Sequence, residues 1–307
     1  MTDTAMEAAE LGKRFGRRGR WGLRGCTFRL PAGSVCAVVG PNGSGKSTLL
    51  TLAAGLEAPT EGGVTLLGGQ PSAVRDRVGF VAQDKPLYPQ LTVAETLRLG
   101  AGLNPGGWDA EAAERIVASG GLDTTARVRT LSGGQRSRVA LALAVAKRPE
   151  LLLLDEPMAD IDPLARHELM GVLMAQAAEH GTTIVMSSHV VAELEGACDR
   201  LLLLRDGRVR LDGDIDELLD AHAVLTGPAD EVGGPAPRDV VDHRTTGRML
   251  TALVRTSERT PPEGWEAGRP SLEELVLAHL RAPQAAGPAD TVKDPASAPT
   301  ENREATS

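Results

Sequence analysis

One glycine-rich segment, GPNGSGKST at 40–48, constrains the fold of this chain more than any other feature. It fits the pattern G-x-x-x-x-G-K-[ST] and lies between an apolar, strand-like run at 35–39 and a helix-like run at 47–56. Glycines allow positive φ and a close approach to an anion, and the following helix directs its free N–H groups toward that anion. The segment therefore predicts an α/β fold with a phosphate-binding loop, formed by Gly40, Pro41, Asn42, Gly43, Ser44, Gly45, Lys46, Ser47 and Thr48.

Two side chains of this loop predict specific contacts with a nucleotide. Lys46 would reach the β and γ phosphates, and the hydroxyl of Ser47 would ligate Mg²⁺, a hard cation that prefers oxygen ligands. The simpler alternative is a glycine-rich turn without a ligand. The strand and the helix on either side of the loop argue against that alternative.

A second acidic site follows four consecutive leucines at 151–154. Such a run predicts a buried parallel strand, and ligands of open α/β sheets collect at the carboxyl ends of these strands. Asp155 would hold Mg²⁺ through water, and Glu156 would meet the water that attacks the γ phosphate. Taken alone, the acidic pair could simply cap a helix. Its combination with the phosphate-binding loop argues against that alternative.

The segment LSGGQ at 131–135 predicts a capped helix start with two amide-exposing glycines, which is an anion site. With this segment the chain resembles the nucleotide-binding subunits of ATP-binding-cassette (ABC) transporters over about residues 5–220. The resemblance implies a P-loop ATPase core with a mixed sheet, an N-terminal antiparallel β subdomain and a helical subdomain at about 90–147. It also implies a head-to-tail homodimer or heterodimer, in which the γ phosphate held by one subunit is covered by the partner's Ser132, Gly133, Gly134 and Gln135.

The same resemblance implies roles for four more residues. Gln83 in GFVAQ matches the glutamine loop, which senses Mg²⁺ and the membrane partner, and His189 in VMSSH matches the switch histidine that contacts the γ phosphate. Asp162 in ADIDP matches the loop that crosses the dimer interface, and Phe15 stands where the family has an aromatic that stacks on adenine. The segment 84–92 is the expected surface for the permease.

Composition narrows the possible partners and location. The net charge of −8 argues against sequence-independent binding of nucleic acid. The three cysteines match no metal spacing and follow no secretory signal, so we expect a reducing cytosol. Apolar runs are shorter than the roughly 18 to 20 residues that span a bilayer, so any pore would be a separate polypeptide. We therefore expect a peripheral protein at the cytoplasmic face of the cell membrane.

Beyond about residue 220 the composition predicts a small α+β appendage at 221–281. Short strands are expected at 222–226, 240–243 and 249–255, and a capped amphipathic helix at 271–280. The segment from 282 to 307 is rich in Pro, Ala, Thr, Asp and Glu, which predicts disorder. The SLEELVLAHL ending is similar to that of subunits working with ABC-2 type permeases.

The sequence therefore predicts an ABC-type ATPase that binds ATP and Mg²⁺ and energises a separate membrane permease. The expected class is an ABC-2 type exporter of drugs, antibiotics, peptides or polysaccharides. The alternatives are a soluble or regulatory ABC ATPase without transport, and an importer subunit, because importers share every motif described. The predicted catalytic residues are Lys46, Gln83, Glu156 and His189.

Overall fold

The computed structural model describes residues 3–16, 19–159, 161–229, 239–255, 261 and 264–282. Over these residues the strands are β1 (Thr4–Arg14), β2 (Trp21–Pro31), β3 (Val35–Val39), β4 (Glu61–Leu66), β5 (Val78–Val81), β6 (Leu151–Leu154), β7 (Thr183–Ser188), β8 (Arg200–Arg205), β9 (Arg208–Asp214), β10 (His222–Pro228), β11 (Val240–Thr246), β12 (Met249–Arg255) and β13 (Glu266–Gly268). The helices are α1 (Lys46–Ala53), α2 (Val93–Leu103), α3 (Ala110–Ser119), α4 (Gly133–Ala146), α5 (Pro163–His180), α6 (Ile215–Asp220) and α7 (Leu272–Arg281). Within this described part, no helix is long and apolar enough to cross a membrane.

A six-stranded sheet in the order β5-β6-β7-β3-β8-β9 forms the centre of the protein. Its first five strands are parallel, and β9 pairs antiparallel with β8. Every residue of β3 and β6 is buried, which explains why both strands appear in the sequence as continuous apolar runs. The mixed sheet confirms the predicted fold class.

An antiparallel sheet in the order β2-β1-β4 covers one face of this central sheet. Its inward residues share a core cluster with α1 and the central strands, including Met6, Leu11, Leu23, Leu49 and Leu50. This packing presses β2 against the start of α1, so the N-terminal sheet becomes one wall of the phosphate-binding region. The predicted antiparallel β subdomain is present.

The helices α2, α3 and α4 pack beside the central sheet. Capping boxes begin two of them: Thr92 with Glu95 starts α2, and Ser132 with Gln135 starts α4. Arg138 of α4 is buried, and its guanidinium lies 2.9 Å from the carboxylate of Glu168 on α5. These contacts fix the start of α4, which carries the LSGGQ segment. The boundaries assigned to the helical subdomain remain a prediction.

The C-terminal region forms an antiparallel sheet in the order β11-β12-β10-β13, with α7 packed against it. The predicted helix begins at Ser271 with a capping box to Glu274. Two of its residues, Leu272 and Val276, belong to the core of the main domain, whereas Leu275 and Ala278 pack toward the small sheet. The short strand β13 was not predicted. Apart from residue 282, the tail at 282–307 lies outside the described residues.

Two buried histidines join α7 to β10. The Nε2 atoms of His222 and His279 are 3.3 Å apart, and Nδ1 of His222 lies 2.7 Å from the carbonyl oxygen of Leu218. Burial is the main cause that lowers the pKa of His279 to about 4, and the neighbouring His222 lowers it further. Burial likewise lowers the pKa of His222. Both rings are therefore neutral in the folded protein at neutral pH.

The histidine pair predicts a loss of stability in mild acid. Between about pH 6.5 and about pH 4 the unfolded chain binds a proton at residue 279 that the folded chain excludes, so stability falls as the pH is lowered through this window. Acidification from about pH 7 to about pH 5 should lower the free energy of unfolding of wild type by on the order of 2 kcal/mol more than it lowers that of His279→Leu. Urea unfolding at the two pH values measures this difference. His243→Leu, which changes an exposed histidine, should behave as wild type does.

Candidate nucleotide site

The register of three parallel strands brings the predicted motifs together. In the pairing of β6 with β7, Leu154 lies opposite Met186, and in the pairing of β3 with β7, Val39 lies opposite Ser188. The next residues along these strands are Gly40, Asp155 and His189. Gly40 is therefore level with His189, and Asp155 is level with Ser187, so all three residues leave the sheet at its carboxyl edge, where α/β folds bind ligands.

The phosphate-binding loop depends on glycine at position 45. Gly45 has φ 108°, and a Cβ atom there would lie 2.5 Å from the carbonyl oxygen of Gly22. Only glycine fits this position, which directly precedes the first residue of α1. The hydroxyl oxygen of Ser44 is buried without a hydrogen-bond partner in the described part of the chain, a feature that suits a loop built to hold an anion.

Lys46 lies at the centre of the site. Its side chain is 5% exposed, and its amine donates hydrogen bonds to the carbonyl oxygens of Gly40 at 2.8 Å and Pro41 at 3.3 Å. The amine is also 3.8 Å from Oε1 of Glu156. Burial lowers the pKa of Lys46, and the carboxylates of Glu156 and Asp155 partly oppose this effect. The lysine thus bridges the phosphate-binding loop and the acidic pair.

The two acidic residues lie in different environments. Asp155 is 3% exposed, and its Oδ1 accepts a hydrogen bond of 2.7 Å from the hydroxyl of Ser187. Glu156 has φ 47°, which is left-handed and uncommon for a residue with a Cβ. Its Oε2 lies 3.1 Å from Nδ1 of His189, and its backbone N–H donates to Ser187 Oγ at 2.8 Å. Ser187 was not identified from the sequence, although its position two residues before His189 on the same strand was a usable signal.

A cavity with a volume of about 530 Å³ opens in front of these groups. It brings together ten residues that the sequence singled out, namely Phe15, Asn42, Gly43, Gly45, Lys46, Ser47, Thr48, Gln83, Glu156 and His189. Arg20, Trp21 and Gly22 complete the lining of the cavity.

Phe15 and Trp21 form the aromatic end of the cavity. Phe15 is 45% exposed, and the amine of Lys13 lies 5.5 Å from the centre of its ring. The Trp21 ring has the guanidinium groups of Arg14 and Arg24 at 5.5 and 5.7 Å. Both aromatics are therefore placed near a basic rim, and each offers a face on which a nucleobase could stack.

The signature segment and Asp162 do not line this cavity. Ser132 and Gln135 are engaged with each other in the capping box of α4. Oδ1 of Asp162 accepts hydrogen bonds from the backbone N–H groups of Leu164 and Ala165, which makes this residue the N-cap of α5. The site within one chain is thus formed by the other motifs alone.

The residues proposed for magnesium offer the donor type that this ion prefers. The Ser47 hydroxyl and the Gln83 amide both line the cavity, and the Asp155 carboxylate lies at the end of β6 next to Glu156. Oxygen ligands supplied partly by protein and partly by phosphate and water suit Mg²⁺. The residues therefore fit the ion.

Comparison with known proteins agrees with this geometry. A family model described as ABC transporter matches residues 23–159. The aliphatic sulfonates import ATP-binding protein SsuB of Shigella flexneri is 43% identical over 192 residues, which are 62% of this chain and 73% of that protein. This chain belongs to the ABC transporter family. It is an ATP-binding subunit and an ABC-type ATPase, as the sequence predicts.

Two further comparisons extend the similarity to other ATP-binding proteins. The protein of the same description from Yersinia pestis biovar Antiqua is 36% identical over 271 residues, 87% of this chain and 90% of that protein. A dimeric ATP-binding cassette solved in a post-hydrolysis state with ADP and phosphate has a TM-score of 0.62 and 27% identity, covering 68% of this chain and 98% of that one. These relatives support the ABC assignment.

The relatives do not support the expected ABC-2 type exporter. Both SsuB proteins are described as import subunits. The expectation rested on the SLEELVLAHL ending, whose apolar residues Leu272, Leu275 and Val276 are at most 2% exposed. Packing on the main domain and the small sheet explains that pattern, which therefore carries no information about the direction of transport.

The position of Lys46 predicts a large effect on nucleotide binding. Lys46→Ala should weaken ATP affinity roughly 10- to 100-fold, because a charge-assisted hydrogen bond contributes about 1.5 to 3 kcal/mol. Isothermal calorimetry measures the affinity. Arg29→Ala, a cation on the exposed edge of β2, serves as the control and should bind normally. Equal affinities for Lys46→Ala and wild type would contradict the assignment.

Proposed function

We propose that this ABC ATPase energises uptake of a small anionic solute through a separate membrane permease. The observation that carries the proposal is the 36% identity, over 87% of the chain, to an ATP-binding protein described as importing aliphatic sulfonates. That similarity spans both the nucleotide site and the region beyond it. The proposed location is the cytoplasmic face of the cell membrane, where a peripheral subunit meets both ATP and the permease.

Hydrolysis is assigned to the acidic pair and its neighbours. Glu156 accepts a proton from the water that attacks the γ phosphate, and His189, 3.1 Å from its carboxylate, orients this carboxylate and contacts the phosphate. Lys46 neutralises charge on the β and γ phosphates. Ser47, Gln83 and Asp155 would hold Mg²⁺, which would neutralise charge on the phosphate oxygens.

The dimer completes the site in this proposal. Two copies, or one copy and a related subunit, pair head to tail, so that Ser132, Gly133, Gly134 and Gln135 of each face the ATP held by the other. The capping box already fixes the start of α4, and a helix N-terminus with exposed amides attracts phosphate. Asp162 lies at the start of α5, a short distance after Glu156 in the chain. The proposed dimer interface passes this residue.

A groove next to Gln83 is the proposed contact for the permease. It has a volume of 470 Å³ and is lined by the segments on both sides of this residue, including Val81, Ala82, Lys85 and Leu87. The opposite wall comes from α4, through Ala140, Leu143 and Ala144. Since Gln83 itself lines the nucleotide cavity, one short segment touches both sites. A movement of the permease can thereby change the nucleotide site, and a change at the nucleotide site can move the permease.

Replacement of the proposed general base predicts binding without turnover. Glu156→Gln should lower the hydrolysis rate roughly 10²- to 10⁴-fold while retaining ATP affinity, because the amide keeps the shape but cannot accept the proton. Phosphate release and size-exclusion chromatography with ATP measure the rate and the accumulated dimer. Glu150→Gln is the matched control, because Glu150 precedes the same strand at the opposite edge of the sheet and pairs with Arg77 there. Normal turnover in Glu156→Gln would remove Glu156 from the mechanism.

Transport is tested with the same variant. Affinity-tagged Glu156→Gln is captured with ATP from gently solubilised source cells, and the proteins that accompany it are identified by mass spectrometry. We expect one polytopic membrane protein, which is then reconstituted with the wild-type chain in vesicles carrying ATP on the side of the ATPase. Radiolabelled alkanesulfonate should accumulate on that same side. Movement in the opposite direction, or capture of ribosomes or repair proteins, would overturn the proposal.

A further inference from the structure

We infer that Ser187 is a positioning residue for ATP hydrolysis, whose hydroxyl fixes Asp155 and Glu156 relative to each other. The inference rests on the proposed function, in which Glu156 is the general base. Ser187 is the fifth residue of β7 and is 1% exposed. It does not line the nucleotide cavity, so it acts through its two acidic neighbours and not on the nucleotide.

Strand register places this serine beside the acidic pair. The pairing of β6 with β7 ends with Leu154 opposite Met186, so the next residue of β7 lies level with the first residue after β6. On its other side Ser187 lies opposite Val38 of β3. The serine is therefore held between the strand that ends in the acidic pair and the strand that leads into the phosphate-binding loop.

The direction of its hydrogen bonds follows from the groups present. An ionised carboxylate only accepts, so the hydroxyl proton of Ser187 is donated to Oδ1 of Asp155 at 2.7 Å. The lone pairs of the same oxygen then remain for the backbone N–H of Glu156 at 2.8 Å. One hydroxyl thus serves both residues, and a side chain without it would leave a buried acceptor and a donor unpaired.

The second of these bonds matters because Glu156 has an unusual backbone. A φ of 47° in a residue with a Cβ persists only where the surroundings hold it. This conformation turns the chain out of the strand and directs the Glu156 carboxylate to within 3.1 Å of His189 and 3.8 Å of Lys46. The Ser187 bond anchors the peptide unit at which this turn begins.

The first bond fixes the neighbouring carboxylate. With Oδ1 engaged by Ser187, the Asp155 side chain is held in one orientation, and its other oxygen is left for the metal and its water. A displacement of about 1 Å in a catalytic group can cost about 100-fold in rate. Loss of the Ser187 hydroxyl should therefore reduce turnover more than nucleotide binding, which depends mainly on the phosphate-binding loop.

The test compares four proteins as full-length chains: wild type, Ser187→Ala, Ser187→Thr and Ser187→Val. Thr keeps the hydroxyl, and Val has the shape of Thr without it. For each protein, kcat and KM for MgATP are measured together with ATP affinity and the unfolding midpoint. We expect Ser187→Ala and Ser187→Val to lose roughly 10- to 100-fold in kcat with KM within about threefold of wild type, and Ser187→Thr to recover most of kcat.

Several outcomes would overturn the inference. One is a kcat for Ser187→Ala within about twofold of wild type. Another is an equal loss of kcat in Ser187→Thr and Ser187→Val together with lowered unfolding midpoints, because this would show that the serine acts through packing alone. If the larger Thr and Val side chains prevent folding, the test rests on Ser187→Ala. Its kcat should then fall while its ATP affinity stays at the wild-type value. If the proposed role of Glu156 is itself wrong, Glu156→Gln will hydrolyse ATP normally. That result distinguishes failure of the proposed function from failure of the Ser187 inference.

Discussion

The parallel pairing of β6, β7 and β3 is the constraint on which the site depends. Parallel strands end at the same edge of a sheet, and here a shared register sets the ends of β3, β6 and β7 to within two residues of one another. Gly40, Asp155 and His189 come from segments more than 30 residues apart in the chain, yet they emerge together. Burial of both faces of the sheet keeps this register from slipping, because a shift would move packed leucines and valines out of two cores at once.

Around this edge, Lys46 and Glu156 link parts of the site that are formed by different elements. The lysine belongs to the first turn of α1 and donates to loop carbonyls, while its amine lies near the carboxylate that follows β6. His189 extends the chain of polar contacts from that carboxylate to the end of β7. A rearrangement at any one of the three residues changes the surroundings of the other two. These three residues of the nucleotide cavity therefore depend on one another for their positions.

The sequence predicted the parts of the site whose residues lie close together in the chain. The phosphate-binding loop, the acidic pair and the capped start of α4 each have a local pattern with a local physical cause, and their elements were identified within a few residues. Ser187 was missed because its role arises from strand pairing, which no local spacing reveals. The exporter expectation was unsupported for a related reason: an apolar helix pattern reports burial, and α7 is buried against both the core of the main domain and the small sheet.

The same helix shows why the C-terminal region is not a detachable addition. Leu272 and Val276 belong to one core cluster with Leu194, which lies just beyond the 3-10 turn at Val191–Glu193. That turn begins two residues after His189, so the C-terminal region forms part of the packing behind this histidine. Removing α7 would uncover apolar side chains that hold the end of this loop. The division predicted at about residue 220 stays a prediction, and the shared core cluster of Leu272 and Val276 joins the two parts that it separates.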